Sequence, residues 1–173
     1  EFAHAVIVLA AGSYLSAFEN DVALPERSAT GRSADLIAVA TAADTVAIEV
    51  KVPTALQRRP TPITAGQALR IVRLAKRSAG TAPEGQLSPQ QPGLLLIGGF
   101  HLPAAEIGLL EEAAHAALVS TPRHLAGIGI VSLGAHGIGI VKRTNGFDIP
   151  QGSQLSGSIT LAMALNPLYS GSI

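Results

Sequence analysis

The 173-residue sequence has no cysteine and no tryptophan, and aromatic residues make up only 3% of it. Without cysteine there are no disulfides and no thiolate chemistry, which fits a reducing cytoplasm. So few aromatics exclude recognition of nucleic acid by bases stacked on an aromatic platform. Net charge is missing too, since 12 basic residues balance 12 acidic ones. A free-standing non-specific DNA binder is usually basic, so strong DNA affinity here requires segregated charges or a partner that supplies the grip. No G-x-S-x-G, Walker or kinase signature is present, and the five histidines show no metal-ligand spacing. Residues 2–18 are apolar, but Gly12, Ser13 and Ser16 interrupt them and no positive segment precedes them. A buried helix is expected there, not a membrane span. What remains is a globular chain, 47% hydrophobic and 14% charged, with the length of one domain and enough residues for a core.

The chain is organised around residues 32–52, RSADLIAVATAADTVAIEVKV. Val46, Ile48, Val50 and Val52 alternate with Thr45, Ala47, Glu49 and Lys51, the period-2 pattern of a strand with one face buried. That alternation sets the Glu49 carboxylate beside the Lys51 ammonium on the opposite face. Asp35 opens the preceding apolar run Leu36–Ala40, and the turn Thr41–Asp44 is short enough for a hairpin. Two carboxylates and a lysine then converge on one edge of a small sheet. Such a set suits phosphodiester hydrolysis. Two carboxylates hold a hard divalent cation, usually Mg²⁺ with Mn²⁺ as a substitute. The metal activates a water and neutralises the scissile phosphate, while the lysine orients or deprotonates the nucleophile.

The arrangement Asp35…Glu49-Val50-Lys51 resembles the restriction-endonuclease-like nucleases, the PD-(D/E)XK superfamily, with Ala34 where that family has proline. The resemblance implies an α/β fold: a mixed central β-sheet flanked by helices, with an αβββαβ core. It implies that Asp35, Glu49 and the backbone carbonyl of Val50 bind the metal and that Lys51 positions the attacking water. It also makes Glu19, at the end of the first helix, a candidate third carboxylate. Gln67, on the helix after the site, becomes a candidate for facing it.

Along the chain, residues 3–19 read as a helix, with a strand through Val6–Leu9 turning at Gly12 as the competing reading. Asp21–Pro25 reads as a short first strand. Arg32, in the polar loop before Asp35, is a candidate phosphate contact. Arg58 and Arg59 lie in a basic loop after Pro53. Thr61-Pro62 reads as an N-cap and first residue of a helix to about Arg77. On it Gln67, Arg70 and Arg77 share a face, opposite a mostly apolar side of Leu69, Ile71, Val72, Ala75 and Lys76. Arg58, Arg59, Arg70, Arg73, Lys76 and Arg77 are half of all the basic residues, so the charge is segregated.

Gly80–Pro92 reads as a linker. The apolar run Gly93–Phe100 suits a central strand covered on both faces. A helix from Pro103 to about Val119 follows, and the strand–helix–strand crossover implies parallel pairing. Gly127–Val131 and Gly137–Val141 are the same five residues, GIGIV, and read as a hairpin. Within the tail, Ile159–Leu165 reads as a short packing helix or an oligomer contact. The expected organisation is a nuclease-like domain over 1–143 and a tail over 144–173 that packs on it or on a partner.

The leading expectation is a metal-dependent endonuclease acting on DNA, away from membranes, as a homodimer or inside a larger protein. One alternative is a catalytically inactive module of the same fold for protein or nucleic-acid binding. Another is a small-molecule-binding α/β domain with Ala5–Gly12 as its first strand.

Overall fold

The computed structural model describes residues 1–17, 21–25, 33–41, 44–57, 61–79, 86–87, 91–119, 124–134, 158–167 and 169. Helix α1 (Phe2–Ser16) comes first, followed by strands β1 (Asp21–Ala23), β2 (Leu36–Thr41) and β3 (Asp44–Lys51). Helix α2 (Ala65–Ala79), strand β4 (Gly93–Phe100), helix α3 (Ala104–Leu118), β5 (Leu125–Gly134) and β6 (Ser158–Leu165) complete it. The six strands form one sheet in sequence order. β1, β2 and β3 are antiparallel, β3, β4 and β5 are parallel, and β6 is antiparallel to β5. The chain is therefore an α/β protein with a mixed open sheet, and its helices lie on both faces.

On one face Ile7, Val8 and Ala11 of α1 pack against Leu36, Ile48, Val50 and Leu96. On the other, Val72 of α2 and Leu110 of α3 join Ala47, Leu95, Ile97 and Ile130. Ile48 and Val50 are fully buried, each stabilising the fold by roughly 1.5–3 kcal/mol relative to exposure. Strand β3 was expected to have one covered face, and it has two. Its neighbours in the sheet are not the reason; α2 packs over the side that carries Ala47 and Glu49.

Residues 2–16 are helical throughout, which removes the strand alternative at Val6–Leu9 and with it the basis for Ala5–Gly12 as a first strand. Periodicity could not separate the two because this helix is apolar on all sides; its length decides. Its close seat on the sheet depends on Gly98 in β4. A Cβ there would stand 2.5 Å from Ile7 Cγ2, inside any tolerable contact. Gly98→Ala therefore lifts α1 from the sheet, at a cost of about 1–3 kcal/mol. A urea unfolding midpoint equal to that of the parent would refute this.

Three expectations are corrected. The helix after the site starts at Ala65, not Pro62, because Thr64 and Gln67 cap it reciprocally. The Thr64 N–H donates to Gln67 Oε1 at 2.8 Å, and the Gln67 N–H donates to Thr64 Oγ1 at 3.3 Å. Residues 159–165 belong to strand β6, not a helix. Their period is one of size, with Ile159, Leu161 and Met163 on the α1 face and Ala162 and Ala164 on the other. Finally, β5 is paired on one edge by β4 and on the other by β6. No edge of the first GIGIV is left for the second, whose residues 137–141 lie outside the described residues. The glycines of the first copy have a packing reason: a Cβ at Gly129 would meet Leu96 at 2.6 Å and Met163 at 2.9 Å. Among the described residues, no helix is long and apolar enough to cross a membrane.

Candidate functional site

Strand β3 outruns its neighbour. β2 begins at Leu36, opposite Ile48, so Glu49, Val50 and Lys51 extend beyond the start of β2. The Asp35 N–H donates to the Ile48 carbonyl at 3.0 Å and extends the ladder by one bond. Where the ladder stops, side chains replace it. The Asp35 carboxylate accepts the Val50 N–H through Oδ2 at 2.8 Å. From the first turn of α1, His4 Nε2 lies 3.1 Å from the Val50 carbonyl oxygen and 3.3 Å from Asp35 Oδ2. A carbonyl oxygen can only accept, which assigns the imidazole proton to Nε2.

Glu49 is fully buried between the sheet and the helices of the second face. Its Oε1 accepts a hydrogen bond from Lys51 Nζ at 2.5 Å, and its Oε2 is buried with no hydrogen-bond partner among the described residues. Burial pushes the carboxyl up to about 7. The bond to Lys51 works against that rise, and the charge of Asp35 adds to it. Lys51 Nζ also donates to Gln86 Oε1 at 2.7 Å. The Gln86 amide reaches the Ser33 carbonyl at 3.4 Å, and its backbone N–H donates to Ala79 at 3.0 Å. Gln86 thus ties the end of α2 and the approach to Asp35 to the same ammonium.

Asp35, Glu49, Val50 and Lys51 are accordingly neighbours in space. Gln67 is exposed and occupied in the cap of α2, so its amide is not directed at the carboxylates. It lines, with Lys51 and Arg70, a cleft of about 800 Å³ between the end of β3 and the flank of α2. Arg70, Arg73 and Arg77 are exposed on that helix, but Arg77 is not part of the cleft lining. Glu19, Arg32, Arg58 and Arg59 lie outside the described residues.

No protein-family model, curated protein or solved structure matches the chain. Its chemistry is read from its own geometry alone. Asp35 Oδ2, the Val50 carbonyl and the unpartnered Glu49 Oε2 are oxygen donors around one strand end. A hard cation takes such donors and keeps several waters. Among the described residues, no group of three or more His, Cys, Asp or Glu is gathered closely enough to hold a metal ion by side chains alone.

Two residues at this strand end carry no spacing motif in the sequence. His4 meets partners that are 31 and 46 residues away. The available signal was a single imidazole in the first turns of an otherwise apolar helix. Gln86 sat in a stretch read only as a linker, and nothing local marks it.

Proposed function

We propose that this chain is a metal-dependent nuclease of the restriction-endonuclease-like kind, hydrolysing DNA phosphodiesters at the end of β3. The observation that carries the reading is Glu49, a fully buried carboxylate with one oxygen on Lys51 and the other without a partner among the described residues. A buried polar atom without a partner is costly and calls for an explanation. A cation held by Asp35, Glu49 and the Val50 carbonyl supplies one. The order α1–β1–β2–β3–α2–β4 in a mixed sheet supports the family resemblance, since it is the order that the αβββαβ core requires.

When bound, Mg²⁺ or Mn²⁺ supplies charge neutralisation and lowers the pKa of a water. The chain's own groups do the rest. Asp35 is held in place by the Val50 N–H, and His4 donates to it and to the carbonyl. Lys51, held by Glu49 and Gln86, uses its remaining N–H to orient the nucleophile or meet the phosphate oxygen. Arg70 adds positive charge along the cleft.

The decisive experiment pairs Mn²⁺ calorimetry with cleavage of labelled DNA in Mg²⁺ or Mn²⁺. Stoichiometric binding and metal-dependent cleavage are expected, with Asp35→Asn weakening the metal by roughly 10–100-fold, the range seen when ligand networks are broken. No heat of binding and no cleavage with either metal would overturn the reading. That outcome would favour the inactive module of the same fold, with His4 closing the strand end instead of a cation.

A further inference from the structure

The cleft beside Lys51 has walls that a contact with the phosphate backbone alone does not explain. Pro53, Pro62 and Ile63 line it, and so does Leu74, which is 53% exposed on the side of α2 that otherwise shows arginines. Lys51 and Arg70 supply cationic groups to the same lining. Phosphates are held by basic and polar groups and gain nothing from aliphatic walls. The faces and edges of a base do gain from them.

Size narrows the occupant. At about 800 Å³ the cleft falls in the range that encloses a single small molecule. A base pair within a continuous duplex cannot enter such a space. One nucleotide that has left the stack can, with its base against the prolines and Leu74 and its phosphate between Arg70 and Lys51.

We propose that this cleft is a subsite for one unpaired nucleotide of a DNA strand, so that single-stranded or locally unpaired DNA is the preferred substrate. The catalytic consequence rests on the nuclease reading; the binding does not. Extracting a base from a duplex gives up stacking and pairing that a single strand has already lost, and the preference follows from that difference. Low aromatic content fits the same picture, because the grip is on one nucleotide and not along a stacking platform.

The test is fluorescence anisotropy of a labelled oligothymidylate and of a duplex of equal length, both in EDTA, against the parent chain, Leu74→Glu and Arg70→Glu. Single-strand binding should exceed duplex binding by about tenfold or more, and each variant should reduce it by roughly tenfold. Equal binding of the two probes, or single-strand binding untouched by both substitutions, overturns the subsite. Thermal melts establish that each variant is folded; if Leu74→Glu is not, Arg70→Glu decides alone. Single-strand preference without cleavage in Mg²⁺ or Mn²⁺ keeps the subsite and removes the hydrolytic reading.

Discussion

If the chain is the proposed nuclease, Lys51→Ala is expected to lower the rate of metal-dependent DNA cleavage by roughly 10²–10⁴-fold, the span of one positioned proton-transfer or orienting group. The side chain donates to Glu49 and to Gln86. An ammonium has three protons, so two fixed acceptors leave one direction for the reacting water or phosphate. Lys51→Arg does not restore the rate, because a planar guanidinium cannot reproduce this arrangement. Removing the lysine also strips Glu49 of its cationic partner, and the carboxyl then holds its proton to still higher pH. Mn²⁺ calorimetry on the variant separates these effects. Weakened binding that recovers as pH rises marks the loss of the partner, whereas slow cleavage at saturating metal marks the loss of the positioned ammonium. An unchanged single-turnover rate would remove Lys51 from the chemistry.

Glu49→Gln acts in opposite directions on binding and on stability. The folded carboxyl holds its proton up to about pH 7, against an ordinary value of 4.5. Between those values the folded state carries more protons than the unfolded state, so stability falls as pH rises and the full cost is present above about pH 7. Burial is the main cause, and a rise of this size corresponds to a loss on the order of 3 kcal/mol. The glutamine variant lacks this slope. Urea unfolding of both proteins between pH 5 and pH 8 should therefore show the parent weakening and the variant holding steady. The variant should also bind Mn²⁺ more weakly by roughly a hundredfold, as expected when a negative first ligand becomes neutral. Parallel stability curves would show that Glu49 is ionised throughout and already satisfied.

The parent carries a further consequence of the same titration. A metal at the proposed site would require the ionised carboxylate, so its uptake near neutral pH should release a proton and strengthen as pH rises through 7. This makes the stability cost and the metal affinity two readings of one group.

Much of this site was legible because it depends on short-range pattern. The alternation through Val46–Val52 put Glu49 and Lys51 on one side of β3, and the apolar runs on either side of Thr41–Asp44 gave the antiparallel β2–β3 pair whose open end carries Asp35. The continuous apolar run Gly93–Phe100 gave the doubly covered strand with its residues intact. The failures share a physical cause, namely that the deciding contact lies far along the chain. Glu49 is buried on the face of the sheet where α2 packs on β3, which no pattern local to β3 reveals. The strand nature of residues 158–165 is encoded in alternating bulk, which a search for alternating polarity passes over. Thr64 takes the cap from Thr61 because only Thr64 has a glutamine three residues on.

Val50 is gripped at both its amide and its carbonyl by side chains from elsewhere: Asp35 takes the N–H, and His4 donates to the oxygen. Lys51, one residue later, is fixed from the loop after α2. The pieces thus arrive from the first helix, the approach to β2, the third strand and the α2–β4 connection, and no contiguous fragment contains them all. Assembly of this strand end would therefore report completed folding: during renaturation the His4 ring signal should become native only once α1 has docked, later than the hairpin signal.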